Sequence, residues 1–199
     1  MLSAIFAQAQ SQYEHGMDKA FELWKTGNST EASAMFERIA SVETDNWLPN
    51  YYVALINATT AFQVSNDKQK VSALLDKAQE SLDIEFAKNP QNPEILVLQA
   101  LVYTAWISSD PMNNGMKMSG KVMELYGKAE KIAPNNPRVV FGKAEFEIGG
   151  ASYFKQDTSV MCGQIDKAIS LFSNFKAESI YHPNWGLDRA LEVQKKCKK

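Results

Sequence analysis

The chain has 199 residues, enough for one folded domain or a short array of repeats, and its 45% hydrophobic and 22% charged content excludes a disordered protein. Its 23 acidic and 21 basic residues give a formal net charge of -2, which disfavours a nucleic-acid partner because phosphate contacts require a basic face. The longest apolar run, residues 95–107, is shorter than the roughly 20 residues of a membrane-spanning helix, so no integral membrane segment is predicted.

The segment 1–9 has two interpretations. Its apolar patch is followed by Ala7-Gln8-Ala9, which has the form of a signal-peptidase cleavage site, although no basic region precedes the patch. The segment is interpreted either as the residual end of a secretion signal or as the first turn of the first helix. The first interpretation predicts an exported protein of the periplasm or cell envelope, and the second predicts a cytoplasmic protein.

Helical periodicity dominates the rest of the chain. Apolar residues recur every three or four positions over residues 71–86, 122–133 and 165–172, and segments rich in Gly, Asn and Pro separate these faces. No stretch alternates in the manner of a strand. The pattern therefore predicts an all-α protein of about nine or ten helices. Between Ser109 and Ser119 it predicts an oversize loop at a hairpin turn.

Two similar proline phrases divide the chain: NPQNP ends at Pro93 and APNNP ends at Pro137, 44 residues later. Self-similarity at such a period is typical of helical solenoids. Proline stops a helix in its interior but is tolerated at the first helical position, where its missing N–H has no intrahelical partner. Each phrase is therefore interpreted as a joint between helix pairs that bury their apolar faces by stacking.

The small and aromatic residues around these joints resemble the tetratricopeptide repeat, a helical hairpin of about 34 residues. Departures from the family pattern are Gly16, where Trp is usual, and Glu147, where an aromatic residue is usual. The residues that carry the resemblance are Ala20, Gly27, Ala32, Phe36, Ala78, Leu82, Pro90, Ala100, Tyr103, Tyr126, Ala129, Pro134, Ala144, Ala168, Phe172 and Pro183.

The resemblance implies an all-α, right-handed superhelical solenoid of such hairpins. The implied repeats are residues 12–46, 47–92, 93–136 and 137–183, followed by a C-terminal capping helix at 184–199. The layout is similar to that of short exported tetratricopeptide repeat proteins of Gram-negative bacteria.

For this family, ligands lie along a concave groove made by the first helix of each hairpin. The resemblance therefore implies a non-catalytic scaffold that binds a protein or peptide of unspecified identity. The alternative is a structural protein that self-associates as a homo-oligomer, its groove filled by its own segment or by a second copy. The implied groove residues are Glu94, Val97, Leu101, Thr104, Arg138, Phe141, Glu145 and Ile148.

Three methionines of the predicted loop, Met112, Met116 and Met118, have two interpretations: packing beneath the loop, or an adaptable apolar contact for a partner. The same segment, from Gly115 to Lys121, carries the G-x-x-x-x-G-K skeleton of a phosphate loop. It lacks the Ser or Thr that should follow the lysine, and no strand precedes it, so a nucleotide-binding enzyme is the least favoured hypothesis.

No catalytic residues, metal ligands or cofactor are predicted from the remaining reactive side chains. His15 and His182 each lack a second ligand three or four residues away. Cys162 and Cys197 match no metal spacing and are interpreted as two unpaired structural thiols.

Overall fold

The computed structural model describes the backbone of residues 2–198 and the side chains of residues 10–198, so the segment 1–9, with its two interpretations, lies outside the described side chains. The described residues form nine helices and no strand: α1 (Leu2–Lys25), α2 (Ser29–Val42), α3 (Trp47–Gln63), α4 (Lys68–Lys88), α5 (Pro93–Ser109), α6 (Pro111–Ile132), α7 (Pro137–Tyr153), α8 (Ser159–Asn174) and α9 (Leu187–Cys197). The predicted all-α fold is confirmed. Within this described part of the chain, no helix is both long and apolar enough to cross a membrane.

The chain divides into two compact units, Met1–Asn89 and Pro90–Lys199. In the first unit, α1 packs against α2, α2 packs against α3, and α3 packs against α4. In the second unit, α5 packs against α6 and α7, α7 packs against α8, and α8 packs against α9. Packing between sequence neighbours is the arrangement expected of helical hairpin repeats. The repeat boundaries and the right-handed superhelix stay predictions.

Small residues lie in the interior of both units. Helices approach closely where the side chains at the contact are small, and the alanines that carry the resemblance are buried accordingly. In the second unit, the absence of a side chain at Gly142 allows the close approach of Tyr126, because a Cβ at Gly142 would lie 2.6 Å from Tyr126 Oη. The buried alanines are Ala20, Ala32, Ala78, Ala100, Ala129, Ala144 and Ala168.

Both proline phrases lead into a helix, as predicted, while their role as joints between repeats stays a prediction. Pro93 and Pro137 occupy the first turn of α5 and α7, and the asparagine before each proline caps the helix. Asn92 Oδ1 accepts a hydrogen bond from the Glu94 N–H at 2.9 Å, and Asn136 Oδ1 accepts one from the Arg138 N–H at 2.9 Å. Each phrase thus supplies both the capping side chain and the residue that needs no N–H partner.

The predicted loop between Ser109 and Ser119 is wrong. Helix α5 ends at Ser109 and α6 begins at Pro111, so the extra residues lengthen α6. Asp110 Oδ1 accepts a hydrogen bond from the Asn113 N–H at 3.2 Å, which makes Asp110-Pro111 a helix start. Residues 115–121 lie inside α6, where their N–H groups belong to the helix and cannot cradle a phosphate.

The interpretation of the cysteines as unpaired thiols is also wrong. Cys162, in the first turn of α8, forms a disulfide with Cys197, the last residue of α9, with the two Cα atoms 5.7 Å apart. The packing of α8 against α9 brings together two thiols that are 35 residues apart in sequence. Sequence spacing alone carries no sign of this proximity.

Candidate functional site

Two predicted groove residues, Glu94 and Arg138, form a buried ion pair in the second unit. Arg138 Nε donates to Glu94 Oε2 and Arg138 Nη2 donates to Glu94 Oε1, both at 2.7 Å, and the side chains are 3% exposed for Glu94 and 0% exposed for Arg138. Asn136 Nδ2 donates to the same carboxylate at 2.6 Å. The guanidinium also lies over the Phe175 ring, 4.5 Å from its centroid. The pair joins the first turns of α5 and α7 and leaves almost no surface for a ligand.

The other predicted groove residues keep different amounts of surface. Val97 and Phe141 are buried in the core. Glu145 accepts a hydrogen bond from Arg189 Nε of α9 at 2.6 Å. The residues of the predicted groove that keep partial exposure are Leu101, Thr104, Glu145 and Ile148.

A group of strongly exposed apolar side chains lies elsewhere, where α6 begins and α7 ends. Met112 and Met116 are one helical turn apart and 79% and 95% exposed. Tyr153 and Phe154 are 64% and 69% exposed, and their rings meet edge to face with centroids 5.2 Å apart. Tyr153 Oη donates to Met112 Sδ at 3.9 Å, which connects the two helices. These four residues are called the Met–aromatic surface below.

Because residues 111–118 are helical, their positions around α6 determine which methionines belong to this surface. Residues four apart lie on the same side of a helix, which groups Met112 with Met116. Met118 is half-buried and lies on a different side of α6. Two of the three methionines chosen from the sequence therefore contribute to the Met–aromatic surface.

Helix α7 ends in a tight turn that places this surface at its terminus. The Gln156 N–H donates to Ala151 O at 2.8 Å and the Lys155 N–H donates to Ser152 O at 3.2 Å, the hydrogen bonds of a Schellman motif. Lys155 has a φ of 55°, the left-handed conformation that this motif requires. The turn stops α7 immediately before Phe154, at the edge of the Met–aromatic surface.

Two ionisable groups of the second unit have shifted pKa values. The Asp157 carboxylate accepts hydrogen bonds from Ser159 Oγ at 2.6 Å and from the Ser159 N–H at 3.0 Å, which lower the pKa of Asp157. Burial raises the pKa of the Tyr126 phenol, which keeps it neutral in the core. Among the residues that the structure describes, no cluster of three His, Cys, Asp or Glu side chains could hold a metal ion.

A polar cleft of about 400 Å³ lies in the first unit, lined mainly by side chains of α2 and α4. Two of its charged groups pair with each other, since Lys77 Nζ lies 2.5 Å from Glu37 Oε1. Asn50 Nδ2, also in the lining, donates to the buried Glu85 carboxylate at 2.7 Å. The cleft therefore offers a ligand fewer free polar groups than its composition indicates.

Comparison with solved structures finds chains of the same architecture. The HusA haemophore from Porphyromonas gingivalis is similar with a TM-score of 0.71 and 21% identity, covering 94% of this chain and 92% of the haemophore. TTC0263, a thermophilic TPR protein from Thermus thermophilus, is similar with a TM-score of 0.61 and 12% identity, covering 94% of this chain and 98% of that chain.

The chain has the fold of a tetratricopeptide repeat (TPR) protein. No family model matches it, and no curated protein matches its sequence significantly. The resemblance read from the alanines and prolines is thus confirmed at the level of the TPR fold, although these sequence identities do not extend the likeness to function.

Sequence reasoning on this TPR fold missed Tyr153 and Phe154. The available signal was an adjacent aromatic pair a few residues after Gly149-Gly150, at the end of an apolar helix. Aromatic pairs usually pack in the core, so only their exposure in the structure marks them as a surface.

Proposed function

We propose that this chain is a non-catalytic binding protein that carries a haem-type porphyrin on the Met–aromatic surface. The observation that carries the proposal is the exposure of Met112, Met116, Tyr153 and Phe154 together at one end of the second unit. Contiguous exposed apolar side chains are a feature of ligand and partner sites. Similarity to a haemophore over nearly the full length of both chains supports the ligand class.

The chemistry of the four side chains suits a flat apolar macrocycle. Aromatic rings stack on flat π-systems, and methionine is polarizable and adapts its rotamers to an irregular or planar partner. Covering one such side chain is worth about 1.5–3 kcal/mol, so each is expected to contribute roughly tenfold or more to affinity.

A second candidate function, peptide binding in the predicted groove, is favoured by the TPR fold and by the partial exposure of Leu101, Thr104 and Ile148. It has less support than porphyrin binding, because four of the predicted groove residues are not available to a ligand. Glu94 and Arg138 form a buried ion pair with each other, and Val97 and Phe141 are buried in the core. The two candidates need different side chains. Leu101→Asp is therefore expected to abolish peptide binding and to leave haem binding unchanged.

We also propose that the chain is exported. The disulfide between Cys162 and Cys197 supports this location, since disulfides persist in oxidising compartments and are rare in the cytosol. Alkylation of thiols in protein recovered from its native host, followed by mass spectrometry, should find both cysteines unmodified. Two alkylated cysteines would contradict the proposal.

The test of porphyrin binding is an absorbance titration of haem with the purified protein, followed in the Soret band. Wild-type protein should bind with saturation at one haem per chain. Met116→Glu and Phe154→Glu should each weaken binding about tenfold or more, because a carboxylate replaces apolar contact area.

The matched control for these two variants is Val42→Glu. Val42 is 77% exposed at the end of α2 and is not one of the four residues of the Met–aromatic surface, so the substitution adds the same charge to an exposed apolar position outside the proposed site. Val42→Glu should bind haem as the wild type does. Failure of the wild type to bind, or equal weakening by all three variants, would refute the proposed site.

A further inference from the structure

Lys155 adopts a backbone conformation that its side chain disfavours. Its φ of 55° makes it the only residue other than glycine with a positive φ in the part of the chain that the structure describes. The position is the one after the helix cap in a Schellman motif, which glycine usually occupies because it has no Cβ. The chain therefore keeps a lysine where glycine would give a more stable turn.

The side chain of Lys155 has no structural role that would explain this choice. It is exposed, and among the described residues it makes no ion pair or side-chain hydrogen bond. The neighbouring Asp157 is not its partner, since that carboxylate is held by Ser159. The Schellman motif explains the backbone conformation but not the choice of lysine for it, and a disfavoured residue kept in such a conformation points to function.

Lys155 directly follows Phe154, which belongs to the Met–aromatic surface, and its side chain is exposed. We propose that Lys155 binds a carboxylate on the rim of the porphyrin, so that the site selects porphyrins that carry carboxylates over uncharged ones. The inference rests on the proposed function, and it adds the charged contact that an apolar surface lacks. Charge-assisted hydrogen bonds to a carboxylate fix the orientation of a ligand as well as its affinity.

The experiment compares two probes that share one macrocycle: haem, with two carboxylates, and its dimethyl ester, in which both are uncharged methyl esters. Lys155→Gln should weaken haem binding about fivefold, the size of an exposed charge pair, and should leave binding of the ester unchanged. Lys155→Arg should retain haem affinity. Raising the ionic strength should weaken haem binding to the wild type more than to Lys155→Gln.

Lys155→Gly separates the functional role from a structural one. Glycine relieves the left-handed strain, so this variant should unfold at a higher temperature than the wild type and still bind haem about as weakly as Lys155→Gln. A purely structural lysine would not produce greater stability together with lower affinity.

Three results would overturn the inference. If the wild type binds haem and its ester equally, or if Lys155→Gln binds haem as the wild type does, Lys155 does not select the carboxylate and the proposed function stands without it. If the wild type binds neither porphyrin, the inference and the proposed function both fail. Tighter binding of haem, lost in Lys155→Gln, would support the inference.

Discussion

Replacing Glu94 with glutamine should destabilise the second unit strongly. Glutamine keeps the size of the side chain but removes its negative charge. In the wild type, Arg138 donates two hydrogen bonds of 2.7 Å to the Glu94 carboxylate, and the side chains of Glu94 and Arg138 are almost fully buried. Arg138 Nη1 already has no hydrogen-bond partner, and the Phe175 ring covers the guanidinium, so no other anion can replace the lost carboxylate. An uncompensated charge then remains in the interior.

Removing one partner of a buried ion pair costs about 3–5 kcal/mol, because the remaining charge stays desolvated. At about 2–4 °C per kcal/mol for a chain of this size, the unfolding midpoint of Glu94→Gln should fall by roughly 10 °C. The assay is thermal and urea unfolding followed by circular dichroism at 222 nm. A double variant, Glu94→Leu with Arg138→Met, should recover most of the loss because no charge is left buried.

A second pair with the same chemistry provides the control. Arg189 Nε lies 2.6 Å from Glu145 Oε1, and the side chains are 51% and 31% exposed for Arg189 and Glu145. Water stabilises either charge when the other is removed, so Glu145→Gln should cost under about 1 kcal/mol. A loss for Glu94→Gln as small as that for Glu145→Gln would show that burial of the Glu94–Arg138 pair does not make it important for stability.

Three further predictions test the packing and the covalent link. Cys162→Ser should lower the free energy of unfolding in urea by about 3–4 kcal/mol, the value for a disulfide closing 35 residues. Reduction of the wild type should have the same effect, and equal stability of the oxidised and reduced wild type would contradict this prediction. Gly142→Ala should destabilise by about 1–3 kcal/mol in thermal unfolding, since its Cβ would lie 2.6 Å from Tyr126 Oη, whereas Gly127→Ala, with no neighbouring atom within 4 Å, should be neutral or stabilising. Burial raises the pKa of Tyr126 above its unfolded value near 10, so the folded state favours the neutral phenol. The contribution of this phenol to the free energy of unfolding should be complete below about pH 10 and lost as the pH rises beyond it. Tyr126→Phe should reduce this alkaline loss in unfolding midpoints measured from about pH 8 to 12.

The helices and their joints could be predicted because local chemistry determines them. The Asn-Pro pairs at 92–93 and 136–137 supply a cap and a first-turn residue whatever the rest of the chain does. Asp110-Pro111 carries the same kind of signal and starts α6, whereas the usual length of a TPR hairpin predicts a loop at this point. Capping chemistry was the better guide there.

The candidate site could be predicted only in part, because the side chains available to a ligand are those left without a contact inside the folded protein. Glu94 and Arg138 occupy similar positions in successive hairpins, and their opposite charges could have indicated that they pair and are not available to a ligand. The disulfide and the exposure of Tyr153 and Phe154 depend on how helices distant in sequence pack, which periodicity does not encode. The sequence indicated Met112 and Met116 as methionines of a predicted loop, and the structure places them in the first two turns of α6.

NMR of the methionine methyl groups during a haem titration tests whether the porphyrin lies on the Met–aromatic surface. With 13C-labelled methyls, the signals of Met112 and Met116 should shift or broaden first, because the macrocycle is proposed to lie on the Met–aromatic surface. Met17, fully buried in the first unit, should not change at the same haem concentrations. Perturbation of Met17 with unaltered Met112 and Met116 signals, or no perturbation of any methyl at saturating haem, would contradict the account.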